Sequence, residues 1–335
     1  LIGNQTYAQK NYSFNIQKQL DYCAEQASKT LKVIPNDGTS PRTIPNGSKD
    51  WKFVSYKDWT SGFWPGELWF LYEATKDKKW EKEADKFSRF LTPLSVSKAA
   101  DHDLGFQIFN SFGNGYRLTK NPEYKEIILK TADTLATLFN PKVGTIQSWP
   151  HNKMGGHNTI IDNMMNLELL FWASKNGGNK KLYDIAVKHA ETTMANHFRP
   201  DNTSYHVIIY DFETGKKIKG RTAQGYSDDS MWARGQAWAI YGYTTMYRMT
   251  KDVRYLEQAR KTYSIPHWSD GYFDVDAAGH VVVRPTGARG PAVSLPEIVD
   301  SARAAGAKLP LLVRFPDILG ERLGKLQAAF AQAHL

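Results

Sequence analysis

The chain has 335 residues, 41% hydrophobic and 23% charged, an ordinary globular composition for one large domain or two smaller ones. Its formal net charge is +9, yet residues 265–335 hold seven Lys/Arg against seven Asp/Glu, so the first 264 residues carry the whole surplus. No Lys/Arg run, nucleic-acid motif or apolar stretch of the ~20 residues a membrane span needs accompanies it, so neither nucleic acid nor membrane is an expected partner; acidic polysaccharide fits a basic body better.

Cys23 is the only cysteine, which excludes an intrachain disulfide and a cysteine-based metal site. The chain starts at Leu1 with neither Met nor a signal-type apolar run, leaving bacterial periplasm and cytoplasm both open as compartments. Oligomeric state is open too. Phe14, Ile16, Leu20, Cys23, Ala27 and Leu31 recur at roughly helical spacing and predict a helix over 14–32, with Cys23 as a buried small residue. Residues 34–50, rich in Pro, Gly, Asn and Ser, predict a loop.

An internal repeat follows. Leu71–Asp77 precedes Trp80, Tyr116–Asn121 precedes Tyr124, Phe171–Asn176 precedes Tyr183 after a longer turn, and Met246–Asp252 precedes Tyr255. Each copy reads as an apolar helix, a Thr/Ser-Lys-Asp/Asn turn, and an aromatic residue opening an amphipathic helix. Short connections make the two helices antiparallel neighbours. Four such αα-hairpins, apolar helix inside and amphipathic helix outside, predict a toroid with functional loops at one end. Ser204–Asp211 reads as a strand and 216–219 as its return, a small β-hairpin at the barrel mouth.

Asp103 and Asp162 each stand where an apolar helical run begins, among Trp59, Trp64, Trp149, Trp232 and Trp238. Carboxylates so placed are helix caps or the acids of a site. Flat rings beside them suit sugar stacking, or simple core packing. His151 and His157 are six apart, which fits no common zinc motif, so no metal is expected.

Four separated segments now carry a resemblance. Asp58-Trp-Thr-Ser-Gly-Phe-Trp-Pro-Gly66, His102-Asp-Leu-Gly-Phe106, Ile160-Ile-Asp-Asn-Met-Met-Asn166 and Gln224-Gly-Tyr-Ser-Asp-Asp-Ser-Met-Trp-Ala-Arg-Gly-Gln-Ala-Trp238 closely resemble, in order, the unsaturated glucuronyl hydrolases of glycoside hydrolase family 88. The resemblance covers about residues 10–262. It implies an (α/α)6 barrel, which agrees with the repeat, and no cofactor. It further implies a substrate made by a polysaccharide lyase, an oligosaccharide ending in a 4,5-unsaturated uronic acid. A carboxylic acid protonates C4, water adds at C5, the hemiketal opens and the aglycone leaves. By correspondence Asp162 is the acid/base and Asp103 the second carboxylate. His102 and His206 are then candidate partners of sugar hydroxyls. Gln224 and Arg234 would meet the uronate, with a salt bridge from Arg234 to Asp228 or Asp229 as the structural alternative. Trp59, Trp64, Trp149 and Trp238 would stack on the rings. The related unsaturated rhamnogalacturonyl hydrolases share the fold and the two-Asp logic, and an inactive sugar-binding protein is the alternative of a different class.

Beyond Thr262 the resemblance changes. Ser264-Ile-Pro-His-Trp to His280 and Ser294-Leu-Pro-Glu-Ile-Val to Leu319 resemble the N-terminal part of biosynthetic arginine decarboxylase. The expected organisation is therefore a barrel domain over 1–262, incomplete at its C-terminal end, and a mixed α/β tail of different origin over 263–335. In the tail, Leu295–Ala304 and Ile318–Ala333 predict helices and Leu309–Phe315 a buried strand. The pyridoxal lysine of that second family is not among these residues, so no decarboxylase activity is expected.

Overall fold

The computed structural model describes residues 16–152, 154–276, 278–307 and 312–333. The chain divides into two compact units, Leu20–Tyr263 and Ser264–Leu335, the second including the residues up to Gln19.

The larger unit is built of paired helices. After α1 (Ile16–Leu31), the strands β1 (Ser40–Thr43) and β2 (Lys52–Val54) pair antiparallel, so the stretch read as loop contains an edge of sheet. Then come α2 (Phe63–Thr75) with α3 (Lys78–Arg89), and α4 (Leu104–Ile108) continuing through a π-helical turn at Phe109–Gly113 into α5 (Asn114–Thr119), paired with α6 (Pro122–Ala136). A two-residue ribbon, β3 (Phe139–Asn140) with β4 (Thr145–Ile146), leads to β5 (His157–Ile160). The third hairpin is α7 (Leu167–Lys175) with α8 (Lys181–Asn196). After β6 (Val207–Tyr210) and β7 (Lys217–Arg221), the fourth is α9 (Ala233–Thr250) with α10 (Val253–Tyr263).

Three of the four hairpin turns share one hydrogen-bonding scheme, which is why the sequence repeats there. Lys76, Lys120 and Lys251 take the left-handed conformation (φ 58°, 60° and 64°) that ends a helix. The hydroxyls of Thr75, Thr119 and Thr250 donate to carbonyls four residues back, at 2.7–2.8 Å. Asp77, Asn121 and Asp252 then cap the next helix by accepting from the N–H two residues on, at 2.8, 3.0 and 2.9 Å. The third copy is wider: Gly177 (φ 104°) extends the turn and Asn179 takes over the capping.

Leu68, Trp69, Phe112, Leu169, Leu170, Phe171, Ala239 and Tyr243 of the inner helices are fully buried. The outer helices bury one stripe each, such as Trp80, Ala84 and Phe87 on α3. Two large polar rings carried into this core are paired: Trp69 Nε1 donates to Ser88 Oγ at 3.1 Å and the Tyr243 hydroxyl to the Ala190 carbonyl at 2.9 Å. Counting α4–α5 as one, α1 and the four hairpins provide nine helices among the described residues, where six hairpins contain twelve. The architecture is thus the expected (α/α)6-type barrel, incomplete after α10.

One expectation about α1 is corrected: Cys23 is exposed, while Phe14 lies outside the described residues. The stripe is right for Ala27, which is buried. Cys23, however, borders an apolar cavity of about 800 Å³ shared with Leu20, Trp51, Trp64 and Phe70. Helical spacing shows which side of α1 is apolar but not how much of that side is covered.

The expected β-hairpin is β6–β7, and β5 adds a third strand: the order is β5-β6-β7, all antiparallel, with His157 opposite Tyr210 and Ile160 opposite Val207. Every residue of β5 and β6 is buried. The strand β5 reads His-Asn-Thr-Ile, too polar to announce itself as buried.

The smaller unit contains α11 (Ile265–Ser269), an antiparallel sheet of β8 (Phe273–Val275), β9 (Val281–Val283) and β10 (Val293–Ser294), and the helices α12 (Leu295–Ala304) and α13 (Pro316–Gln332). Both predicted helices are present. The predicted buried strand is not: 309–311 lie outside the described residues, and 312–315 form no strand, with Leu312 79% exposed. An apolar run alone does not make a strand without a neighbour to bond it.

Candidate active site

One narrow cleft of about 80 Å³ in the larger unit is lined by Trp59, Asp103, Phe106, Trp149, Ile160, Asp162, Gln224, Arg234 and Trp238. The larger apolar cavity beside α1 holds neither of the two aspartates, so volume is a poor guide here and chemistry a better one.

Two aspartates 59 positions apart reach this cleft by different routes. Asp103 ends a loop and precedes α4; its N–H donates to Asp101 Oδ1 at 2.9 Å. Its carboxylate caps no helix. Asp162 follows β5 in a 3-10 turn, Ile161–Met165, which is pinned by Ile160 N–H to Ser148 Oγ (2.9 Å) and Ile161 N–H to the His206 carbonyl (3.0 Å). Asp162 Oδ2 is buried with no hydrogen-bond partner. A buried, unsatisfied carboxylate oxygen is costly and is typical of functional sites.

Burial pushes the Asp103 carboxyl up to about 7, against a hydrogen bond from Asn166 that pulls it down and with the charge of Asp58 adding to the rise. Burial likewise pushes Asp162 up to about 6; His102 lowers it, Asp103 raises it further and Arg234 lowers it. Burial is thus the main cause of both rises, and the charge of Asp103 adds to that of Asp162.

Aromatic rings shape the walls. Trp59 meets Phe63 and Phe106 at 5.8 and 6.0 Å between centroids, and Phe106 meets Trp238 at 5.7 Å. Arg234 Nη2 donates to Gln224 Oε1, and its guanidinium lies 4.3 Å from the Trp232 ring centroid. Gln224, not Asp228 or Asp229, is thus the partner of Arg234. Trp232 in turn sits 4.3 Å from the His206 ring, making a layered Arg-Trp-His support beside Asp162.

Three expected site residues stand elsewhere. Trp64 is 6% exposed, packs edge-on against Phe87 and borders the apolar cavity instead of the cleft. His102 and His206 are 0% and 2% exposed and stand outside the residues that line the cleft. They lie behind the acids: His102 Nε2 is 3.6 Å from Asp103 Oδ1 and His206 Nε2 is 3.7 Å from Asp162 Oδ2. The backbone N–H of Ala223 donates to His206 Nδ1 at 3.0 Å, so the ring proton sits on Nε2, toward Asp162. Burial holds His206 down to about 4 and lowers His102, so both rings are neutral at pH 7. Phe106 and Ile160 line the cleft without having been singled out; their signal was adjacency to the aspartate motifs.

An inner ring of αα-hairpins with a tryptophan-walled, two-carboxylate cleft at one end defines a glycoside hydrolase barrel. The chain matches the model for "Glycosyl Hydrolase Family 88" over residues 42–267 and belongs to that family. It is 40% identical over 261 residues, 77% of its own length, to the unsaturated glucuronyl hydrolase of Formosa agariphila, and spans 65% of that relative. It is similar to the crystal structure of an unsaturated glucuronyl hydrolase specific for heparin, with TM-score 0.71, 38% identity, and 78% of this chain and 69% of that one covered. A separate stretch is 88% identical over 78 residues to the biosynthetic arginine decarboxylase of Xanthomonas campestris pv. campestris, 23% of this chain and 12% of that protein.

Proposed function

We propose that this chain hydrates the C4=C5 double bond of a 4,5-unsaturated uronic acid at the non-reducing end of lyase-generated glycosaminoglycan oligosaccharides. The supporting observation is the pair of buried aspartates, both titrating near neutrality, in one tryptophan-walled cleft that also holds Arg234 and Gln224. Arg234 offers the uronate paired hydrogen bonds, with Gln224 beside it. Trp59, Trp149 and Trp238 offer ring faces for stacking.

Burial raises both carboxyls in the empty site, and substrate acts further on one of them. A uronate paired with Arg234 cancels the charge that lowers Asp162 and brings a negative charge of its own, while no such effect of Arg234 acts on Asp103. Binding thus raises Asp162 and makes it the acid that protonates C4. As a carboxylate, Asp162 then accepts a proton from the water whose oxygen bonds to C5. The hemiketal opens and the aglycone leaves with its glycosidic oxygen.

The second reading is a sugar-binding protein without turnover, favoured by the 65% span of the Formosa relative and by the open apolar cavity beside α1. We also read residues 263–335 as a tail of different origin joined to the barrel, supported by the 88% identity of a separate 78-residue stretch to a second family. Loss of the ultraviolet absorbance of the enol ether on unsaturated chondroitin and heparin disaccharides tests the first reading. Calorimetric binding of the same disaccharides without that loss supports the second. Binding by neither overturns both.

A further inference from the structure

Asn166 is fully buried and belongs to none of the residues that line the cleft, yet it touches the segments of both acids. Its Oδ1 accepts from the Phe106 N–H at 2.9 Å, tying it to the turn that begins at Asp103. That bond orients the amide so that Nδ2 faces His102 Nδ1, at 3.4 Å. An amide nitrogen can only donate, so Nδ1 must accept and the single proton of neutral His102 must stay on Nε2, the atom 3.6 Å from Asp103 Oδ1. Asn166 itself closes the turn that carries Asp162, with its N–H on the Asn163 carbonyl at 2.9 Å. We propose that Asn166 is the positioning residue of the pair: it clamps the two acid-bearing segments together and fixes the His102 proton on Nε2, the side of the ring that faces Asn163 and Asp103.

The Asn166 hydrogen bond favours the ionised form of Asp103, against burial. The other charged groups around the pair are Asp58 from the segment before α2, Asp101 from the loop, and Arg234 from α9, with neutral His206 behind Asp162. Asn166 thereby acts on the Asp103 carboxyl as well as on the placement of the two segments. This rests on the reading of Asp103 and Asp162 as the acids of the site.

The decisive substitution is Asn166→Asp. An ionised Asp keeps an oxygen for the Phe106 N–H but cannot donate to His102 Nδ1, so in spectra taken above the midpoint of the new carboxyl a purely structural role survives while the tautomer inverts. Two-bond proton–nitrogen spectra of the 15N-histidine protein, assigned with His102→Gln, should show His102 with its proton on Nε2; in Asn166→Asp it should move to Nδ1. Carbon-detected titration of labelled aspartates should place the Asp103 midpoint higher in Asn166→Asp by on the order of one pH unit. A proton on Nδ1 in the unsubstituted protein overturns the proposal whether or not any variant folds. So does an Asn166→Asp protein with unchanged tautomer and midpoint. Neither readout needs turnover: no loss of enol-ether absorbance together with the Nε2 tautomer overturns the proposed activity and leaves the role of Asn166 standing.

Discussion

Gly105 and Asn166 approach so closely that a Cβ on the glycine would stand 2.6 Å from the Asn166 Cα and 2.6 Å from its Oδ1. Backbone stands against backbone there, and the contact joins the segment of Asp103 to that of Asp162. Gly105→Ala should therefore destabilise the protein by at least the ~1–3 kcal/mol typical of overpacking, because the clashing atom is not the end of a flexible side chain. Urea denaturation measures this. A loss under ~0.5 kcal/mol would mean the two segments are not held in contact in solution.

The two raised carboxyls set a direction for pH dependence. Their folded midpoints, about 7 and about 6, lie above the ordinary value of 3.8, so between pH 4 and 7 the folded state binds more protons than the unfolded one. Their contribution to stability is full below pH 4 and is lost as pH rises through 6–7. Asp162→Asn removes a buried charge and should stabilise the fold at pH 8 by on the order of 1–3 kcal/mol while abolishing enol-ether loss. In the unsubstituted protein the rate should fall as pH rises past 7, when both carboxyls have lost their protons. A rate that climbs steadily to pH 9 would refute the acid role.

Trp64 and Trp149 should separate packing from binding. Trp149 lines the cleft, so Trp149→Ala should weaken disaccharide binding about tenfold, a loss of ~1.4 kcal/mol, with a modest change in melting temperature. Trp64 is buried against Phe87, so Trp64→Ala should cost several kcal/mol, roughly 2–4, and leave affinity unchanged in the folded fraction. Calorimetry and thermal melts of both variants decide it; the reverse pattern would return Trp64 to the site.

The left-handed lysines make a local test of the repeat. Lys76→Gly, Lys120→Gly and Lys251→Gly should each stabilise the protein by up to ~1 kcal/mol, since glycine adopts φ near +60° without a Cβ penalty. The same change at Lys86, inside α3, should cost about 1 kcal/mol. Equal effects at all four positions would show that the turns are not closed as described.

Much of the fold was legible because its repeating part is local chemistry. A threonine hydroxyl bonding back four residues and an Asp or Asn capping two residues on need only neighbours in sequence, so Thr75-Lys76-Asp77 and Thr250-Lys251-Asp252 announce hairpins without any tertiary information. The β5 strand was hidden because His157, Asn158 and Thr159 owe their burial to partners distant in sequence, such as Tyr210 and Ile209. The two aspartates and the residues Gln224 and Arg234 were legible through their motifs, which keep their spacing along the chain.

The direction each side chain faces was not. Trp59 and Trp64 are five residues apart in one motif and both border the apolar cavity, yet only the first also reaches the cleft. His102 adjoins Asp103, yet only the aspartate reaches the cleft. The amino-acid order determined the hairpins, their caps and the chemical types gathered near the mouth, since these follow from bonds within a few residues. The tertiary structure decided which rings line the cleft, which histidines stand behind the acids, and that burial raises both carboxyls. Exposure and desolvation depend on what packs around a group from every side, and a linear sequence does not specify that.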